Sequence, residues 1–143
     1  MGDLYSTNYV DTFIRVSEDC PVAAATEPPA RATPSVAELT FRMISEHPYE
    51  YTSDDVVFGV WADRRNVPAV ERSAVRSEFF SKGQPCLRAS DLGKRYGWGA
   101  HSDADSKVAI YAMETPEYSR LADGNDLDGK PVDVRRAMRS SRR

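Results

Sequence analysis

Lys107 to Met113 is the segment that most restricts how this chain can fold. In an extended chain Val108, Ile110 and Ala112 point one way and Ala109, Tyr111 and Met113 the other. Both faces are apolar, so the segment is expected as a strand in the centre of a sheet. A second strand is expected over Val10 to Val16, where Val10, Thr12, Phe13, Ile14 and Val16 are β-branched or aromatic. A loop with Pro21, Pro28 and Pro29 follows from Ser17 to Thr33.

Helix signals fill much of the interval between these strands. Thr33-Pro34 supplies a start, Ser35 and Glu38 read as a capping-box pair, and Val36, Leu39, Met43 and Ile44 share a face before His47-Pro48 ends the run. Ser53 to Arg65 carries two conflicting signals. Val56 to Ala62 has the composition of a strand. Yet Thr52 or Ser53 can cap a helix, Asp54 and Asp55 suit its positive first turn, and Arg64 and Arg65 suit its negative end. Val57, Val60, Trp61 and Arg64 also fit helical spacing, so helix is the reading taken. A third helix is expected from Pro68 to Lys82, stopped by Gly83 and Pro85.

Cys86 to Ser90 then reads as a short strand and Asp91 to Tyr96 as one helical turn capped by Ser90, with Gly97 and Gly99 breaking the chain around Trp98. Thr115-Pro116-Glu117 opens a short helix that ends near Asp123-Gly124, and Val132 to Met138 reads as a short basic helix. These elements make an α+β fold: a small sheet of three or more strands covered mainly on one side by three helices. A length of 143 residues suits one domain. It is expected over residues 1–122, with 123–143 a polar, turn-rich segment and a disorder-prone basic tail.

Net charge is −3, which gives no general attraction to nucleic acid or acidic membranes. The distribution is uneven: residues 1–70 hold 11 acidic and 5 basic side chains, residues 71–143 hold 11 and 14. A local anion site in the second half is therefore favoured over a nucleic-acid-coating surface. The longest apolar run, Val56 to Ala62, is too short to span a bilayer. The opening residues lack the pattern of a secretory signal, and Gly2 with Ser6 matches the myristoylation pattern only superficially. Cys20 and Cys86 are expected as free thiols in the cytoplasm.

Several segments taken together, Thr7-Asn8-Tyr9 with Thr12-Phe13-Ile14, Glu18-Asp19-Cys20-Pro21, Tyr51 to Val56, Phe79 to Arg88, and Tyr96-Gly97-Trp98-Gly99 with His101, are similar to a bacterial family of uncharacterised proteins, a domain of unknown function. The resemblance covers roughly residues 5–122. It implies no activity and carries over no catalytic residue.

The residues themselves support three functional readings. The first is a binding module for a small anionic or phosphorylated ligand. Lys82, Arg88, Lys94 and Arg95 form a basic series interrupted by Asp91 alone, and Tyr96 and Trp98 offer stacking surfaces. The second is a thiol-dependent enzyme using Cys86 and His101. On a strand, Arg88 would share a face with Cys86 and favour its thiolate, and His101 could act as base. The third is a protein-interaction module using the proline-containing loop and exposed aromatics. No cofactor is expected, because no phosphate loop, dinucleotide fingerprint or nucleophile elbow occurs. No metal is expected either. Cys20, His47, Cys86 and His101 lack zinc spacing, and the run from Asp123 puts Leu127, Asp128 and Val134 at calcium-loop positions five, six and twelve. Convergence of Cys86, Arg88, Lys94, Arg95 and His101 in one pocket would favour the first two readings over the third.

Overall fold

A computed structural model describes residues 5–141; the Gly2 pattern and Arg142-Arg143 lie outside the described residues. Four strands, β1 (Thr12–Arg15), β2 (Trp98–Ser102), β3 (Val108–Ala112) and β4 (Asp133–Arg136), form one mixed sheet in the order β3-β2-β1-β4. β1 is antiparallel to β2 and parallel to β4, and β2 is antiparallel to β3. Register and alternation put Ile14, Ala100 and Ile110 on one face and Phe13, His101, Ala109 and Val134 on the other.

The first face is covered by α1 (Val36–Ser45), α2 (Ser53–Arg64) and α4 (Asp91–Lys94), with Ile44, Val56, Val60 and Leu87 packed on Ile14, Ala100 and Val108. α3 (Arg72–Phe79) lies outside α2, joined through Phe58, Ala62, Phe79 and Phe80. On the second face α5 (Pro116–Ala122) lays Tyr118 and Leu121 against Phe13 and Val132. The α+β arrangement expected from sequence is thus present, with one helix on the far side.

Local signals account for most helix starts. Thr52 and Asp55 make a reciprocal capping box at α2, Ser90 accepts from Leu92 N–H at α4, and Thr115 accepts from Tyr118 N–H at α5. At α1 only half the expected box exists: Ser35 accepts from Glu38 N–H, but the Glu38 carboxylate turns to Arg31 N–H and the Arg42 guanidinium instead. Asp54, buried at the start of α2, is fully engaged by Ser6 Oγ, Thr7 N–H and Thr7 Oγ1 at 2.6–2.8 Å, which docks the chain before β1 onto α2.

Four expectations are corrected. β3 is an edge strand, not the central one. Its faces are covered, but the edge beyond it is closed by irregular chain: Tyr49 N–H donates to Val108 O and Val108 N–H to Tyr51 O. Apolar faces report cover above and below a strand and say nothing of its place in the order. Cys86 to Ser90 is not a strand. Leu87–Ala89 forms a 3₁₀ turn held by Ala89 N–H to Cys86 O and Ser90 N–H to Leu87 O, so Cys86 and Arg88 lose the common face that period-two alternation would give them.

The chain around Trp98 is not a break but the start of β2. The glycines that hid it have a packing reason. A Cβ on Gly99 would approach Tyr118 Cε2 to 2.7 Å and Phe13 Cζ more closely still, so only glycine lets this edge-to-face ring pair, 5.1 Å between centroids, rest on the strand. Finally, Val132 to Met138 is not a helix. It contains β4, which occupies the edge of β1 left open by β2. Tertiary pairing there overrides the helical reading of a basic segment.

Gly99→Ala is expected to lower the unfolding free energy by about 1–3 kcal/mol, the usual penalty for overpacking a closed core. Urea titration of the variant measures this; an unchanged midpoint would show that the Phe13–Tyr118 pair yields without strain.

Candidate ligand-binding groove

An open, mainly apolar cavity of about 320 Å³ lies between α1, α2 and the segment from Gln84 to Ser90. α1 contributes Val36 and Thr40, α2 contributes Val57, Trp61 and Arg64, and the segment from Gln84 to Ser90 forms the opposite wall. The helical spacing of Val57, Trp61 and Arg64 explains why one side of α2 faces the groove while Val56 and Val60 also reach the core. The Arg65 guanidinium sits 4.5 Å over the Trp61 ring. Neither Arg64 nor Arg65 forms an ion pair with a carboxylate among the described residues, whereas Asp63 beside them is taken by Arg72 at 2.9 Å.

Half-buried Cys86 also lines the groove, and its thiol lies 3.4 Å from Tyr9 Oη. Burial pushes the Tyr9 hydroxyl above its ordinary pKa, reinforced by the Cys86 contact and opposed by the Arg88 and Arg135 charges. Tyr9 is therefore a neutral partner for the thiol at ordinary pH, not a base. The alternation of β2 sends His101 to the α5 face, across the sheet from Cys86. The structure does not bring the two residues of the thiol-enzyme reading together.

None of the basic series lines this groove. Lys82 is exposed in the turn after α3. Arg88 Nε donates to Arg136 O at 2.8 Å, and Arg88 O accepts from Met138 N–H, so this residue closes the outer edge of β4. Lys94 and Arg95 end α4, where Arg95 pairs with Asp91 at 3.7 Å. Tyr96 O accepts from Thr26 N–H, and Trp98 Nε1 donates to Thr26 O while its ring packs on Phe41. These contacts pin the proline-containing loop. Arg64 and Arg65, which do reach the groove, read in the sequence only as complements to the α2 dipole. Their proximity to Trp61 and to the 84–90 wall arises from tertiary packing.

His101 belongs to a separate network. It is 6 % exposed; Nδ1 meets Tyr49 Oη at 2.8 Å, and that hydroxyl meets Tyr111 Oη at 2.7 Å. Tyr49 reaches this position from the sheet edge with φ of 58°, an unusual conformation for a bulky residue. Burial lowers the His101 pKa below its ordinary value, outweighing the raising effects of Asp126, Asp103 and Asp11. Burial likewise pushes the Tyr49 hydroxyl upward, with help from Tyr111.

The architecture defines a mixed α+β domain with one apolar, arginine-rimmed groove on its helical face. Residues 4–143 match the model of the family of unknown function DUF6157, and the chain belongs to that family. The match runs beyond residue 122 to the end of the chain, in keeping with the place of β4 in the sheet. No curated protein and no solved structure matches it. No helix among the described residues is long and apolar enough to cross a membrane.

The depressed His101 pKa has a definite consequence. The unfolded chain takes up a proton near pH 6.5, before the folded protein does, so this contribution to stability is full above that pH and is lost as pH falls through the unfolded and then the folded value. Unfolding free energy should therefore fall from pH 7 to pH 5, above the main carboxylate range. Chemical denaturation at each pH should give a flatter profile for His101→Gln. Equal slopes for the two proteins would show that His101 does not titrate differently on folding.

Proposed function

We propose that this protein is a binding module for a small anionic ligand with an apolar body, held in the groove between α1, α2 and residues 84–90. The observation that carries this reading is the conjunction of a 320 Å³ apolar cavity with two rim arginines that have no carboxylate partner among the described residues. A cavity of this size is at the small end of ligand pockets, roughly 300–1,000 Å³. Apolar walls take up the body of the ligand, and Arg64 and Arg65 grip its carboxylate or phosphate. Stacking on Trp61 holds the Arg65 fork in place, which reduces the entropy lost when an oxyanion binds it bidentately. The Cys86 thiol and the Thr40 and Ser90 side chains supply a few polar points along an otherwise apolar wall. Two free cysteines fit a reducing compartment, the bacterial cytoplasm in this reading.

Trp61 is also a reporter. In a Trp98→Phe background it is the sole tryptophan, and its fluorescence should change on titration with medium-chain carboxylates. The matching neutral amides should bind at least about tenfold more weakly, the scale of one charge-assisted contact. Arg64→Gln with Arg65→Gln should erase that preference, and Ala89→Phe should block binding of both series by filling the groove. Equal affinity for acids and amides would overturn the role of the arginines. Undiminished binding by the Ala89→Phe protein would overturn the site.

A further inference from the structure

A second pair of arginines lies on the opposite face of the sheet, and its situation is unusual. Parallel pairing of β1 with β4 sets Arg15 directly beside Arg136. Alternation sends both side chains to the α5 face, following Phe13 and Val134, which pack in the core there. Both residues are only partly exposed. Like charges on facing strand positions repel, more so where solvent is partly excluded. Neither side chain forms an ion pair or a hydrogen bond among the described residues, and Arg15 Nε is buried without any partner. By contrast Arg135, one residue before Arg136, is paired with Asp133 at 2.9 Å, and Arg139 with Glu18 at 3.0 Å.

The carboxylates that follow β1 in sequence are engaged elsewhere, Glu18 by Arg139. Asp19 is held by Ser17 Oγ and by the backbone N–H groups of Ser140 and Ser141. Beside Arg15, the Tyr118 hydroxyl accepts from Val16 N–H at 2.9 Å, which leaves its own proton available to donate. Two arginines on facing strand positions, with the Tyr118 hydroxyl proton near the same strand, bring donors together with no carboxylate paired to either arginine among the described residues.

We propose that Arg15 and Arg136 form an oxyanion-binding site that takes a phosphate group, with the Tyr118 hydroxyl as an additional donor. A tetrahedral oxyanion has enough acceptor positions to bridge both forks and to cancel the repulsion between them. The site is separated from the helical groove by the thickness of the sheet, so it stands independently of the function proposed above.

The test uses inorganic phosphate as the probe. Thermal unfolding of the full chain is followed with increasing phosphate, with chloride balancing ionic strength. Phosphate should raise Tm by several degrees with saturation, as a bound ligand does, rather than by the steady gain that a surface-excluded salt gives. Arg15→Gln and Arg136→Gln should each weaken the apparent phosphate affinity about tenfold or more. In phosphate-free buffer each variant should be at least as stable as the parent, because removing one charge relieves the pair. Arg64→Gln with Arg65→Gln should leave the phosphate response intact, which separates this site from the groove. A non-saturating response shared by the parent and both single variants would overturn the site. So would variants that lose stability equally with and without phosphate, since that would make the arginines structural.

Discussion

β1 lies inside the sheet with hydrogen-bonded neighbours on both edges, antiparallel β2 on one and parallel β4 on the other. The rest of the molecule is arranged on its two faces. Phe13, with no solvent exposure, anchors the α5 side; Ile14, one residue later, anchors the side of α1 and α2. The two cores therefore share a backbone but no side chains. The Phe13 ring demands the bare backbone of Gly99 opposite it, and that contact fixes how β2 and α5 approach β1. The same alternation decides which chemical groups can meet. It sends Arg15 and His101 to one side and leaves the groove, with Cys86, on the other.

The division bears directly on mechanism. A nucleophilic thiol needs a base or a fixed positive charge within hydrogen-bond reach. Cys86 has a protonated tyrosine there instead, and the histidine that would serve is across the sheet, bonded to Tyr49. Arg88, the other group expected to activate the thiol, is committed to the backbone of β4. What remains around Cys86 is apolar surface, a few hydroxyl groups and two arginines at the rim. The Tyr111–Tyr49–His101 chain gives the buried Nδ1 a hydrogen-bond partner, while His101 Nε2, also buried, has none among the described residues; the downward shift of the His101 pKa favours a neutral ring there.

Helix boundaries were legible in the sequence wherever the signal was local. Thr52 with Asp55, Ser90 and Thr115 each satisfy backbone N–H groups within three residues, so short sequence windows contain the whole interaction. Strands were legible only in part, because a strand is completed by a partner that no local window contains. β1 and β3 carried enough β-branched and apolar residues to be found. β2 was concealed by Gly99, whose value lies in what it omits, and β4 by arginines that suggested a helix. The 3₁₀ turn at Leu87–Ala89 hides for a related reason: five residues after a proline look extended until no partner strand arrives.

The candidate sites were less legible than the fold, and the arginines show why. A run of cations close in sequence suggests an anion site, yet such runs are often dispersed by folding into separate pairings. Arg88 went to a carbonyl, Arg95 to Asp91, Arg76 to Asp55 and Arg72 to Asp63. Among the described residues, the arginines of the two proposed sites have no carboxylate partner and come from places that a sequence scan reads otherwise: Arg64 and Arg65 as a helix end, Arg15 as the last residue of a strand, Arg136 as part of a basic tail. The capacity of a cation to bind a ligand depends on two things, the absence of an internal acceptor and partial withdrawal from water, which raises the strength of each contact. Both are properties of the folded surroundings. Arg64 and Arg65 at the groove rim meet the first condition but are exposed, whereas Arg15 and Arg136 meet both: no carboxylate among the described residues pairs with them, and they are only partly exposed.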